Sequence, residues 1–318
     1  MSREILIFAK DNDNQSKLIY KKLSERWENV EIIDWSEYPQ NINLSYKLPL
    51  RSQKDIVLYV NWKHIKSPKS IYWRNYSWPG MLDYNNNPFW YVWNTKSENR
   101  NLIYKNNTAS IKSFFELFPN ILWLNNPNSV YEHWMKPVQF DKISKNIKEF
   151  SFPKTFITNN FKDIERILSK TKKWKFILKP VMWWFYTRLL TKESFKFYKD
   201  IFYKNPCSIQ EYIRWENIRV YVLWKKVYPI KIETKNIDFR TGDYKSTAIT
   251  LPNNIKQACI KTAEILNYNF TWIDLIKTRK KYYFLEANPS PIFMKDNKDA
   301  WYNISEDILN SLSKWKIS

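Results

Sequence analysis

The sequence predicts a mixed α/β (α+β) protein of two or three units, and three observations carry that reading. The chain opens with an apolar strand at Glu4–Ala9, a stretch of helical spacing at Gln15–Arg26 and a second strand at Val30–Asp34. That β-α-β order predicts a small open α/β domain. Far downstream, Thr271–Lys277 and Tyr282–Asn288 read as two strands joined by the basic turn Thr278–Lys281. A length of 318 residues is enough to enclose substantial cores.

Between these ends, Asp55–Val60 predicts a strand and Asn106–Phe118 a helix leading into Trp123. No Gly-x-Gly-x-x-Gly follows the first strand, so no dinucleotide site is predicted. Ser129–Lys148 has helical spacing throughout. Thr155–Thr158 is a short strand, after which Asn159 or Asn160 caps a helix at Lys162–Lys170. Trp174–Pro180 is an apolar strand ending in Lys179, and an ammonium in that setting calls for an anion. A helix at Lys192–Phe202 leads to a strand at Ser208–Ile213, and Leu223–Lys226 reads as a hairpin turn. Asn253–Leu266 is an amphipathic core helix and Ile304–Ser313 a terminal one. There are no internal repeats.

The C-terminal hairpin carries the chemistry. With Lys280 at the centre of the turn, Asp274 lies opposite Glu286, and Asn288 shares their face two residues on. Opposed carboxylates destabilise a sheet unless something neutralises them. A divalent cation does so, and Mg²⁺ is commonly held by one or two carboxylates together with substrate phosphates. A solvated hairpin with acidic residues on one face is the alternative.

The segment Glu286-Ala-Asn-Pro, following Asp274 in Ile273-Asp-Leu-Ile, resembles the metal-binding end of the ATP-grasp ligases. Within them it is most similar to ribosomal-protein glutamate ligases and to graspetide (microviridin-type) macrocyclases. The resemblance runs from Ile121 to the C-terminus. It includes Trp123-Leu-Asn-Asn-Pro, Pro153-Lys-Thr-Phe-Ile-Thr-Asn, Ile177-Leu-Lys-Pro, Gln210-Glu-Tyr-Ile, Asn217-Ile-Arg-Val-Tyr-Val and Asp238-Phe-Arg. It implies an ATP-grasp fold preceded by an open α/β domain. The expected division is an N-terminal domain at 1–125, a central subdomain with the phosphate loop at 126–207, and a C-terminal subdomain with the metal site at 208–318. It also implies ATP and Mg²⁺ (two ions, Mn²⁺ as substitute) as cofactors, and Asp274, Glu286 and Asn288 as metal ligands.

Nucleotide contacts are implied for Lys136, Lys179, Glu211, Tyr212, Ile213 and Asn217. The last stands where an acidic residue is often found in the family. Glu211–Ile213 match the hinge strand that grips adenine. Arg219 and Arg240 are implied phosphate and acyl-phosphate contacts, since guanidinium forks suit such oxyanions. Taken alone, Lys136 reads as a solvated helix lysine, and the two arginines as surface ion-pair partners. Ser70–Arg74 loosely resembles a Trp-Tyr-Arg-Arg-Pro segment of the family, with Arg74 either at substrate or a surface charge.

Composition excludes several classes. Cys207 and Cys259 are too few for a disulfide framework or a cysteine metal site, and His64 and His133 stand apart from any nucleophile motif. No apolar run reaches transmembrane length and Met1–Asp11 lacks the core of a signal peptide, so a cytoplasmic protein away from membranes is expected. The net charge of +21 suggests an acidic partner. The basic residues are dispersed, without a nucleic-acid module, which favours ATP and an acidic peptide or protein over nucleic acid. A basic, aromatic nucleic-acid-binding protein whose tryptophans stack on bases is the rival reading.

Glycine is nearly missing: only Gly80 and Gly242 are present, where average usage predicts about 22. Tryptophan appears 17 times instead. It follows a helix at Trp27, precedes a strand at Trp174 and sits in the hairpin turn at Trp224. It also fills the family's glycine-rich phosphate loop at Trp183 and Trp184, and a Gly-x-Asp strand at Trp272. The expectation is that many of these tryptophans, foremost Trp27, Trp174, Trp183, Trp184, Trp215, Trp224, Trp272 and Trp301, are UGA codons of an organism that reads UGA as glycine; an unusually tryptophan-rich protein is the alternative. Trp73 and Trp123 fit as true tryptophans.

Overall fold

A computed structural model describes residues 4–34, 38–39, 41–51, 55–65, 68–74, 97–118, 121–133, 135–170, 176–181, 187–191, 206–238 and 241–314. The chain forms two compact units, one of Met1–Pro127 with Ser305–Ser318, the other of Asn128–Ile304.

In the first unit, β1 (Glu4–Phe8), α1 (Asn14–Glu25) and β2 (Val30–Ile33) realise the β-α-β opening. With β6 (Pro68–Trp73) and β7 (Leu122–Leu124) the strands form a parallel sheet in the order β2-β1-β6-β7. Ile5, Leu6, Ile7 and Phe8 are all fully buried, as a parallel strand covered on both faces requires. Asp13 caps α1 through its carboxylate, which accepts from the Gln15 and Ser16 amides. The buried Arg74 guanidinium donates to the same carboxylate at 3.1 Å, which fixes Arg74 as an ion-pair partner of the cap. Helix α2 (Ser97–Glu116) starts earlier than expected and lays Phe114 and Phe115 against Phe8, Trp73 and Trp123. A second sheet, β3-β4-β5 (Ile42–Tyr46, Ile56–Val60, Lys63–Ile65), adds two strands that the sequence did not signal. The last helix, α8 (Ile304–Lys314), belongs largely to this unit and sets Glu306 against Lys22 of α1 and Arg26 at its C-terminal cap.

The second unit contains two sheets. The expected helix Ser129–Lys148 is two, α3 (Pro127–Glu132) and α4 (Lys136–Asn146). Pro137 explains the break: proline lacks an amide hydrogen and belongs in a helix's first turn, so α4 starts anew there. After β8 (Phe150–Ser151) and β9 (Thr155–Thr158) comes α5 (Phe161–Lys170), capped by Asn160, whose side-chain oxygen accepts from the Lys162 amide. Strands β10 (Phe176–Pro180), β11 (Arg188–Leu189) and β12 (Cys207–Glu211) complete an antiparallel sheet in the order β11-β10-β12-β9. The helix expected at Lys192–Phe202 lies outside the described residues.

The larger sheet runs β15-β14-β13-β16-β17-β8. It comprises β13 (Glu216–Leu223), β14 (Lys226–Glu233), β15 (Lys245–Ala248), β16 (Phe270–Lys277) and β17 (Tyr282–Asn288), with β8 at its edge. Its inner face presents Val220, Val222, Ile273, Leu275, Phe284 and Ala287 to α6 (Asn253–Ile265). Ile255, Ala258, Cys259, Thr262 and Ala263 of α6 form one helical stripe onto that face. Among the described residues no helix is long and apolar enough to cross a membrane.

Candidate active site

The opposite face of the large sheet, turned toward the smaller one, carries charge. Asp274 pairs directly with Glu286 and Trp272 with Asn288, as the sequence register placed them. The register next to the turn differs from that expectation: Lys277 pairs with Tyr282, one residue off a turn centred on Lys280. A β-bulge at Leu285 supplies the missing residue, so the pairing is restored at Glu286.

Each carboxylate has its own cation. Arg219, on β13 directly across from Asp274, donates from Nε and Nη2 to the two Asp274 oxygens at 2.9 and 3.0 Å. Lys136, the first residue of α4, reaches Glu286 at 2.9 Å and is largely shielded from solvent. Burial alone would raise the Glu286 carboxyl; the Lys136 and Lys179 ammoniums outweigh it and hold it well below the usual carboxylate range. Burial raises Asp274 against the pull of Arg219, and lowers Lys179 against the pull of Glu286. The two opposed acids are thereby pushed apart in proton affinity, a pattern typical of functional sites.

Two adjoining cavities share this charge. One, of about 440 Å³, is lined by Lys179, Glu211, Tyr212, Ile213, Asn217, Arg219, Asp238, Trp272, Asp274 and Glu286 among others. The other, of about 300 Å³, is lined by Lys136, Lys179, Gln210 and Glu286. Both lie in the range of small-molecule sites. Of the metal, nucleotide and phosphate contacts implied by the resemblance, all are therefore at this place except two. Asn288 is wholly buried beside it, and Arg240 lies outside the described residues, as do Trp183 and Trp184 of the expected phosphate loop.

Sequence reasoning missed the supports. Gln139 on α4 clamps the peptide of Ala287, donating to its carbonyl and accepting from its amide, both at 2.9 Å, which locks β17 between Glu286 and Asn288. Asp296 on α7 (Met294–Asp299) is buried, accepts from Tyr221 at 2.6 Å and from Ser246 at 2.8 Å, and stands 3.9 Å from Arg219. His133 is buried near Glu286, and desolvation lowers it to about 4, so its imidazole is neutral. The Trp272 indole lies over Arg219, 3.9 Å from ring centroid to guanidinium carbon, with its N–H unpartnered. No signal short of the fold links these positions to the hairpin.

Among the described residues no group of three or more His, Cys, Asp or Glu gathers to hold a metal. The set here is two carboxylates and an amide, Asp274, Glu286 and Asn288, all hard oxygen donors suited to Mg²⁺. The Asn288 side-chain oxygen accepts from the Ser290 amide and keeps a second lone pair for a further partner, while its buried Nδ2 has no hydrogen-bond partner.

Residues 143–312 match the RimK-like ATP-grasp domain family. Among solved structures, the chain is similar to the ATP-grasp ligase PsnB complexed with a phosphomimetic variant of its minimal precursor, Mg and ADP. That likeness has a TM-score of 0.81 and 19% identity, covering 98% of this chain and 97% of that one. The macrocyclase MdnC of Microcystis aeruginosa MRC, bound to the precursor peptide MdnA, is similar with a TM-score of 0.80 and 18% identity, covering 99% and 100%. A Chryseobacterium gregarium RiPP-associated ATP-grasp ligase, in complex with ADP and a leader and core peptide, gives 0.78 and 18%, covering 98% and 96%. No curated protein matches the sequence.

Proposed function

Because the chain belongs to the RimK-like ATP-grasp family, we propose that it is an ATP- and Mg²⁺-dependent ligase joining a carboxylate to an amine or hydroxyl of a peptide or protein. The observation that carries this reading is the pair Asp274–Glu286, opposed across one sheet at the wall of a cavity whose other wall supplies Lys179. In the proposed reaction a substrate carboxylate oxygen attacks the γ-phosphorus of ATP, releasing ADP and leaving an acyl phosphate. The amine or hydroxyl then attacks the acyl carbon, phosphate departs, and an amide or ester remains. No protein nucleophile is needed.

The chain's residues act by position and charge. Lys179 and Lys136 hold phosphate oxygens, and Glu211, Tyr212, Ile213 and Asn217 form the wall against the base and sugar. Arg219 and Arg240 meet the phosphate and the acyl phosphate, where a preorganised cation is worth most in a site closed to water. Asp274, Glu286 and Asn288 would hold Mg²⁺, which when bound neutralises phosphate charge. The three-part division at 126 and 208 goes with this proposal, its second boundary falling at the start of β12. So does a cytoplasmic location, where ATP is supplied.

The substrate is proposed to be a peptide, on the peptides bound by the similar ligases, and an acidic one, on the net charge of +21. The test is ADP release with Mg²⁺-ATP alone, with free amino acids, and with a peptide bearing several Asp or Glu residues. The peptide is expected to raise ADP release, and rising salt to weaken the effect. Equal stimulation by free amino acids would overturn the peptide assignment. Thermal stabilisation by a single-stranded oligonucleotide but not by Mg²⁺-ATP would replace the ligase reading with nucleic-acid binding.

A further inference from the structure

Four tryptophans adopt left-handed backbone conformations: Trp27 (φ 60°), Trp62 (φ 65°), Trp224 (φ 56°) and Trp301 (φ 56°). Among the described residues the other non-glycine positions with positive φ are Asn61 and Asn267, and asparagine is the side chain best tolerated there. Each of the four sits in a motif that specifies glycine by its hydrogen bonds.

Trp27 follows α1, with its own amide bonded to the Ser24 carbonyl and the Glu28 amide bonded back to Leu23. Trp301 follows α7 in the same way, with Trp301 to Lys298 and Tyr302 to Asn297. This is the Schellman pattern, whose C′ residue is left-handed and usually glycine. The end of α6 repeats the pattern with the accepted alternative, Asn267, bonded to Glu264 and followed by Tyr268 bonded to Ala263.

Trp62 is the second residue of the two-residue turn between β4 and β5, after Asn61 at φ 48°. Two successive left-handed residues make a type I′ turn, for which Asn-Gly is the preferred pair. Trp224 opens the two-residue turn between β13 and β14, where Leu223 pairs with Lys226. Of the two turn residues only Trp224 has positive φ, the type II′ pattern with glycine first.

At three of the four, packing does not recover the cost: the indoles at 27, 62 and 301 are 96%, 84% and 93% exposed, whereas that at 224 is 37% exposed. Trp73 and Trp123 behave oppositely. Both are buried in the first unit's core, and the Trp123 N–H donates to the Phe118 carbonyl at 3.1 Å.

We infer that positions 27, 62, 224 and 301 are glycine in the native protein, through UGA codons read as glycine, whereas Trp73 and Trp123 are genuine tryptophans. Trp215 makes no such backbone demand and lies 5.9 Å from the Arg279 guanidinium. At Trp272 the backbone is an ordinary strand; a glycine there would uncover Arg219 in the cavity, a consequence that rests on the proposed function and is not needed for the inference.

The gene and the native protein decide the matter without reference to nucleotide. UGA codons at 27, 62, 224 and 301 with UGG at 73 and 123 are expected. Tryptic peptides Asp55–Lys63 and Val220–Lys225 from the native source are expected to carry glycine masses. UGG codons at the four positions, or indole masses in those peptides, overturn the inference. In the chain made as written, Trp62→Gly and Trp224→Gly are each expected to raise the melting temperature by about 2–4 °C, with Trp123→Gly as the control that lowers it. An unchanged or lower melting temperature in both turn variants also overturns it.

Discussion

Strands β1 and β16 both occupy the interior of a sheet, and they handle that position in opposite ways. β1 buries Ile5, Leu6, Ile7 and Phe8 as an unbroken apolar run and keeps its one acid, Glu4, at the strand's first position, where the Asn29 side chain donates to it. β16 places Asp274 between Ile273 and Leu275 and surrounds it with Arg219, Glu286 and, beyond the guanidinium, Asp296. Replacing buried ion pairs by apolar groups of similar size is often neutral or stabilising. The second arrangement is therefore hard to account for by stability. On the proposed function it is accounted for by a ligand whose charge the strand would meet.

The widest separation between the strands is expected in catalysis. Glu286→Gln and Asp274→Asn should lower ATP turnover by about 100-fold or more, with circular dichroism unchanged. Turnover at the unmodified rate in a folded variant would erase the distinction. Stability should separate them less. Arg219→Ala leaves Asp274 and Asp296 without their guanidinium and is expected to cost about 3–5 kcal/mol in urea unfolding. Ile7→Ala, which merely hollows β1, should cost about 2–5 kcal/mol. An Arg219→Ala loss below about 1 kcal/mol would show that its charges are solvated after all.

A pH effect of intermediate size should arise beside Glu286. An unfolded histidine titrates near 6.5, but burial holds His133 at about 4. Between those values the unfolded chain takes up a proton that the folded one refuses. Stability therefore falls as pH is lowered through that window, by on the order of 3 kcal/mol in all. His133→Gln should flatten that slope; an unchanged slope would move its origin elsewhere. The smallest effect is expected at the partly exposed Glu306, paired with Lys22 and Arg26 in the first unit. Glu306→Ala should cost less than about 1 kcal/mol, and less still in high salt.

Alternation of apolar residues made the hairpin readable, and with it the facing of Asp274 and Glu286. Their cations were only half readable. Arg219 is one strand away in a recognisable motif, whereas Lys136 alone looks like any helix lysine until α4 is seen to start beside Glu286. Asp296, Tyr221 and Ser246 meet through a helix and two strands far apart in sequence, and nothing local announces them. The β4–β5 hairpin was missed for a different reason. An asparagine–glycine pair in its turn would have been among the strongest short-range signals of a hairpin, and the tryptophan that follows Asn61 hides it.

The bulge at Leu285 has a consequence for how this hairpin tolerates change. In an unbroken strand Phe284 and Glu286 would share a face, since side chains alternate with period two. Here Phe284 is packed in the core while Glu286 stands with Asp274 on the other side. One extra residue thus acts as a change of phase: greasy before it, charged after it, each in step with its own surroundings. Deleting Leu285 would make Phe284 and Glu286 neighbours, which a regular strand also turns to opposite faces. Both would keep their surroundings, and only the local bend and added twist would go. Deleting Ala287 is as small a change on paper, yet it would set Glu286 and Asn288 on opposite faces and split the site. Along β17 the place of a lost residue, far more than its size, decides what survives.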